Sequence, residues 1–207
     1  MLAVVDYGVG NLFSLISSLR AVSAEAVVTG DPAVLEKADG IILPGVGAFG
    51  DAAEKLRSSG LADIVVEQAS AGKPLMGICL GMQLLFEKSL EYGEHAGLGL
   101  LRGCVRPLEG YVPASCKIPQ IGWNALEFTE KGKTSPIFKT TKNGAYVYFV
   151  HSFYAADCDE SVLATAEYGK PVTAAVGSGS VYGCQFHPEK SGTEGLKMLK
   201  SFAEVCR

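Results

Sequence analysis

The sequence predicts an α/β fold: a mostly parallel central sheet flanked by helices, with additional antiparallel strands. Three observations predict it. Short apolar runs alternate with helically spaced segments through the first half of the chain. Such βαβα alternation implies a parallel sheet covered by helices on both faces. The second half then changes to successive strand-like runs before one last helical segment.

In chain order, "LAVVDYG" (2–8) is a strand ending in polar and glycine residues, and Leu12, Leu15, Ile16 and Leu19 follow at helical spacing. "EAVVTG" (25–30) is a second strand, and Asp31 as N-cap with Pro32 in the first turn starts a helix over 31–38. "GIILPGVG" (40–47) is a third strand running into a glycine loop. Leu61, Ile64, Val65 and Gln68 mark the next helix, which Gly72 terminates. "PLMGIC" (74–79) is a fourth strand, followed by a helix containing Met82, Leu85 and Phe86. "IGWNALEF" (121–128) and "YVYFVHSFY" (146–154) read as strands, 163–176 as a hairpin turning near Gly169-Lys170, and "VYGCQF" (181–186) as a further strand. Leu196, Leu199, Phe202 and Cys206 share one face of a C-terminal helix. With no internal repeat or linker, 1–207 reads as a single domain.

Composition narrows the function. Of 207 residues, 48% are hydrophobic and 19% charged, enough for a substantial core. No apolar run reaches the ~18–20 residues of a membrane span. The start, "MLAVVDYGVGN", lacks the basic and apolar regions of a signal peptide, so a cytoplasmic protein is expected. A net charge of −4 with both signs scattered argues against nucleic acid. The six cysteines form no C-x-x-C pair and no zinc spacing, so neither a metal nor a disulfide framework is expected.

One of those cysteines stands apart. "GICLG" (77–81) places Cys79 between glycines where a strand becomes a helix, the layout of a nucleophile elbow. A helix N-terminus aimed at sulfur favours thiolate, and the N–H of Leu80 is a donor for a developing oxyanion. Taken alone, the motif fits a buried structural cysteine in an ordinary βα turn equally well. A nucleophile needs a base. In "CQFHPEKSG" (184–192), His187 stands where a strand ends, and Glu189 can face the same side to orient the imidazole. His151 follows an aromatic strand without a carboxylate nearby and reads as a packing or pocket residue; His95, in a charged loop, reads as solvated. The loop "PGVGAFG" (44–50) follows a strand and should reach the same carboxyl edge as Cys79. There it could offer the N–H of Gly47, or of Val46, to an oxyanion. It lacks the Lys-Ser/Thr of a phosphate loop.

These elements resemble the class-I (triad) glutamine amidotransferases, whose fold is flavodoxin-like. The likeness runs nearly end to end, through "DYGVGNLFSL", "LPGVGAFGD", "GICLGMQLL", "IPQIGWNAL", "YFVHSFY" and "QFHPEKSGTEGLKML". The combination of "DYGVGN", "GWN", "VHSFY" and "HPEKS" narrows it to members that feed ammonia to a cyclase in histidine biosynthesis. The resemblance implies a Cys79–His187–Glu189 triad, an oxyanion hole from Val46, Gly47 and Leu80, and a glutamine pocket from Gln83, Glu91, His151, Ser152 and Phe153. It implies docking of the cyclase subunit, a (β/α)₈ barrel, through Asn11, Trp123, Tyr148 and Lys190, with no cofactor. Gln120 and Phe153 depart from the family pattern, which commonly has His and Tyr there. Glutaminase subunits of other ammonia-channelling synthases, and a non-catalytic cysteine-sensing module on this fold, are the alternatives.

Overall fold

The computed structural model describes residues 1–207. The chain runs β1 (Leu2–Val5), α1 (Leu12–Ala21), β2 (Ala26–Thr29), α2 (Pro32–Lys37), β3 (Gly40–Gly45), α3 (Phe49–Ser58), α4 (Leu61–Ser70), β4 (Leu75–Cys79) and α5 (Leu80–Leu84). It continues through β5 (Phe86–Ser89), β6 (His95–Ala96), β7 (Leu101–Pro107), β8 (Gln120–Phe128), α6 (Glu130–Thr134), β9 (Tyr146–His151) and β10 (Phe153–Ala156). The last elements are β11 (Val162–Glu167), β12 (Pro171–Ser178), β13 (Val181–Cys184) and α7 (Gly192–Val205). No helix is long and apolar enough to cross a membrane.

Nine strands form the central sheet in the order β2-β1-β3-β4-β13-β12-β11-β8-β9. The pairings from β2 to β13 are parallel and those from β13 to β9 antiparallel. The parallel strands carry unbroken apolar runs because both faces are covered. In β1, Ala3 and Val5 enter a core shared with α3 and α4, whereas Leu2 and Val4 enter the opposite core with Leu15 and Leu19 of α1 and Phe202 of α7. Asp31 caps α2 as expected, its Oδ1 accepting from the Ala33 N–H at 2.9 Å.

Two expectations need correction, and two features were not predicted. The helix after Cys79 stops at Leu84, and Phe86 opens β5. The Leu84 and Leu85 carbonyls, which would propagate the helix, accept instead from the N–H groups of Leu98, Leu100 and Leu101. A helix, α3, follows the glycine loop at once. β5, β6, β7 and β10 form a separate sheet in the order β10-β7-β5-β6. Finally, "YVYFVHSFY" is two strands in two sheets. His151 pairs with Gln120 and Phe153 with Pro107, and the chain changes sheet at Ser152, whose carbonyl accepts from Leu108.

Candidate active site

β3, β4 and β13 are neighbours whose register sets Gly45 opposite Cys79 and Ile78 opposite Cys184. Three segments therefore leave the carboxyl edge of the sheet side by side: Val46–Gly47, Cys79–Leu80 and Gln185–Glu189. Cys79 has φ 54° and ψ −112°, a conformation that costs of order 1–3 kcal/mol and persists only where the surroundings over-determine it. Here β4 is buried throughout, and Gly81 lets the elbow close on β3: a Cβ at Gly81 would stand 1.8 Å from the Leu43 carbonyl oxygen. α5 has only five residues, so the elbow's contribution to the sulfur rests on its first N–H groups more than on a long helix dipole.

His187 is buried, and its Nδ1 lies 2.8 Å from Glu189 Oε1, both side chains being 4% exposed. Burial alone would favour the neutral ring. The Cys79 sulfur and the Glu189 carboxylate outweigh it and push the His187 pKa up to about 9. An imidazolium next to sulfur is the environment that favours thiolate. Burial pushes Cys158 up to about 11, Cys206 up to about 12 and Cys184 well above the ordinary thiol range. His187 is tied to β9, its backbone N–H donating to the Tyr148 carbonyl at 2.9 Å. Ser191 Oγ donates to the His187 carbonyl and accepts from the Tyr148 N–H.

A cleft of about 450 Å³ opens at the sulfur. Val46, Gly47, Cys79, Leu80, Gln83, Glu91, His151, Ser152, Phe153, His187 and Lys190 line it, together with Tyr92, Pro119 and Val150, which the sequence did not single out. Glu189 lies behind His187, bordering a small cavity that Asn11 also lines. Trp123 and Tyr148 lie outside the cleft. A larger open groove along Leu100–Arg102 and Asp157–Ser161 is remote from Cys79.

The polar side of the cleft is wired through one carbonyl. Phe153 O accepts from His151 Nδ1 at 2.8 Å and from Gln83 Nε2 at 3.0 Å. Gln83 Nε2 also donates to Gln185 Oε1 at 2.9 Å, and Gln185 Nε2 then faces the Cys79 sulfur at 3.7 Å. Gln185, fully buried and next but one to His187, is a further residue that sequence reasoning missed; its place in "QFHPE" was the available signal. The Gln83 amide nitrogen is thus spent inside the protein, leaving its oxygen for a ligand. Glu91 Oε2 accepts from the Phe49 N–H at the start of α3. Burial raises the Glu91 pKa, against the Phe49 hydrogen bond and the charge of His95. His95 is half-buried rather than solvated: its ring lies against Gly50, whose Cβ would approach it to 2.8 Å.

Gly47 has φ 97°, and no backbone carbonyl accepts from the N–H of Val46 or Gly47, two residues that line the cleft. On the outer face of β8–β9, Ile121, Trp123 and Tyr146 are 61%, 52% and 61% exposed. Trp123 packs edge-on against Tyr148, and Lys190 Nζ lies 6.0 Å from the Tyr148 ring centre. Asn11 Oδ1 caps α1 through the Ser14 N–H at 3.4 Å. No three His, Cys, Asp or Glu side chains converge as a metal-binding group.

Residues 3–205 match the glutamine amidotransferase class-I family. The imidazole glycerol phosphate synthase subunit HisH of Wolinella succinogenes is 50% identical over 212 residues, spanning 99% of this chain and 100% of its own. The protein of the same name from Oceanobacillus iheyensis is 45% identical over 208 residues, spanning 100% of each. Among solved structures, PurLQS from Thermotoga maritima superposes with a TM-score of 0.74 at 25% identity, over 100% of this chain and 98% of that one.

Proposed function

The chain belongs to the class-I glutamine amidotransferases, and from that membership we propose that it is the glutaminase subunit of an imidazole glycerol phosphate synthase. It hydrolyses L-glutamine to L-glutamate and passes the ammonia to a cyclase subunit. The observation that carries the chemistry is the buried 2.8 Å His187–Glu189 pair beside the strained Cys79. Near-full-length likeness to two synthase subunits supports the choice of partner.

In this reading Cys79 thiolate attacks the carboxamide carbon of glutamine. The N–H groups of Leu80 and of the Val46–Gly47 segment take the oxyanion. The tetrahedral intermediate collapses as His187 gives its proton to the departing nitrogen, leaving a thioester and ammonia. Water, deprotonated by His187, attacks the thioester, and glutamate leaves with Cys79 restored. Glu189 holds the ring in the Nδ1–H orientation throughout. Gln83 and Glu91 hold the amino-acid end of the substrate, and His151, Ser152 and Phe153 line the same pocket. Asn11, Trp123, Tyr148 and Lys190 dock the cyclase in the cytoplasm, which turns the ammonia and a carboxamide ribotide intermediate into imidazole glycerol phosphate and an aminoimidazole ribotide. No cofactor enters the reaction, and residues 1–207 act as one domain.

The test is glutamate release by the purified chain, alone and with the cyclase subunit and its ligand. A Val46–Gly47 N–H turned into the cleft on docking would add one oxyanion donor and raise the rate roughly 10²–10³-fold. Cys79→Ser should abolish glutamine-dependent synthesis while added ammonium still supports the cyclase. Normal glutamine use by Cys79→Ser would refute the proposal.

A further inference from the structure

The turn after β5 presents one side chain against the preference of its backbone. Tyr92 has φ 53°, in the left-handed region that favours glycine and disfavours a bulky residue. It is 88% exposed, so no packing in the core offsets the strain. Contacts on either side hold the turn. Ser89 Oγ accepts from the Glu91 N–H at 3.1 Å, Ser89 pairs with His95 across β5–β6, and Glu91 Oε2 accepts from the Phe49 N–H at 2.7 Å. Strain that is over-determined in this way collects at ligand clamps.

Exposed as it is, Tyr92 lines the cleft at Cys79. Its ring meets the Phe153 ring edge to face, with 6.0 Å between centres. The Phe153 carbonyl in turn accepts from Gln83 Nε2 at 3.0 Å, and Glu91 is the residue before Tyr92. The aromatic pair therefore borders both side chains assigned to the amino-acid end of glutamine. With Oε2 committed to the Phe49 N–H, Glu91 Oε1 is left for the substrate's ammonium. An aromatic ring next to that carboxylate is a second group that attracts a cation.

We propose that Tyr92 is a specificity-determining residue for the amino-acid end of glutamine: its ring covers the α-ammonium that Glu91 holds, adds a cation–π contact and shields the ion pair from water. This rests on the glutaminase reading. The α-carbon and its substituents do not change while the carboxamide reacts. The contact is therefore equal in the bound substrate and in the transition state, and it acts on KM rather than on kcat. The ring supplies it, and the hydroxyl takes no part.

The experiment measures KM and kcat for L-glutamine in the assembled complex, together with the melting temperature of the free chain. Tyr92→Gly should raise KM about two- to fivefold at unchanged kcat, the weight of a cation–π contact at an open site. The same variant relieves the left-handed strain and should melt no lower than wild type. Tyr92→Asn tolerates that region without glycine's flexibility and should match Tyr92→Gly in KM. Tyr92→Phe keeps the ring and should keep the wild-type KM. An unchanged KM in the glycine or asparagine variant, or a KM raised as far in Tyr92→Phe, would overturn the proposal. A lower melting temperature in Tyr92→Gly would overturn it by making the ring a structural element, and weaker cyclase binding at unchanged KM would overturn it by assigning the ring to docking. A wild-type complex that releases no glutamate would overturn the preceding proposal instead.

Discussion

β4, in the parallel half of the sheet, is buried at every residue, whereas β8, in the antiparallel half, alternates between buried and exposed positions. On β8 and β9 the inner face mixes apolar Leu126, Val147 and Phe149 with polar Gln120 and His151. Ile121, Trp123 and Tyr146 face solvent, while Gln120 and His151 are buried. Apolar residues outside and polar residues inside are unfavourable for a free-standing domain, and such exposed patches mark interaction surfaces. The parallel half holds Cys79 in a strained turn because two packed layers leave it no alternative. Within the antiparallel half, the β8–β9 edge gives up one layer of packing and gains an exposed apolar face with polar side chains behind it, whereas β11 and β12 stay buried. Rigidity at the sulfur and an exposed apolar face at the far edge thus come from different strand environments.

Substitutions in the two halves should therefore act on different observables. The largest effect belongs to the parallel half: His187→Ala should lower the glutaminase rate of the complex about 10²–10⁴-fold, the weight of general acid–base catalysis, with affinity for the cyclase unchanged. Equal glutamate release from wild type and variant would remove His187 from the triad.

Next comes acid stability. The His151 pKa is pushed down to about 4, chiefly by burial and further by the His187 charge. The unfolded chain takes that proton near pH 6.5, so the stability contributed by the neutral ring is complete above pH 6.5 and is lost as pH falls toward 4. The loss is about 3 kcal/mol. Denaturant titrations between pH 7 and 4.5 should show a shallower decline for His151→Gln than for wild type. Parallel declines would mean that the ring does not stay neutral in the fold.

The smallest effect belongs to the exposed face. Trp123→Ala should weaken binding to the cyclase by about 2 kcal/mol, as expected of an interface hot spot. Because the indole is 52% exposed in the free chain, its thermal stability should change little. Calorimetric titration of the cyclase into wild type and variant separates the two quantities; unchanged affinity would place docking elsewhere.

Much of the parallel half is legible in the sequence because its determinants are local. The Asp31-Pro32 start of α2 lies within one turn, the glycines of the elbow are two residues from Cys79, and His187 and Glu189 are separated by one proline. The short sheet β10-β7-β5-β6 is not legible. Its strands β5 and β6 have four and two residues, too few to show a period, and the helix that residues 80–86 advertise is cut short because N–H groups from residues 98–101 donate to the Leu84 and Leu85 carbonyls.

By itself the sequence determined the alternation of strands and helices, the bounds of the caps, the elbow and the candidate residues, since each depends on neighbours within a few positions. Only the tertiary structure decided which of those residues meet. It divided 146–154 between two sheets at Ser152, placed Gln185 between Gln83 and the Cys79 sulfur, and set Gln120 opposite His151. The reason is physical: the direction of a buried amide or the tautomer of a buried ring is chosen by whichever carbonyl the fold brings beside it. For Asn124 that carbonyl belongs to Glu167, and for Gln83 to Phe153, partners that lie far along the chain and leave no local pattern.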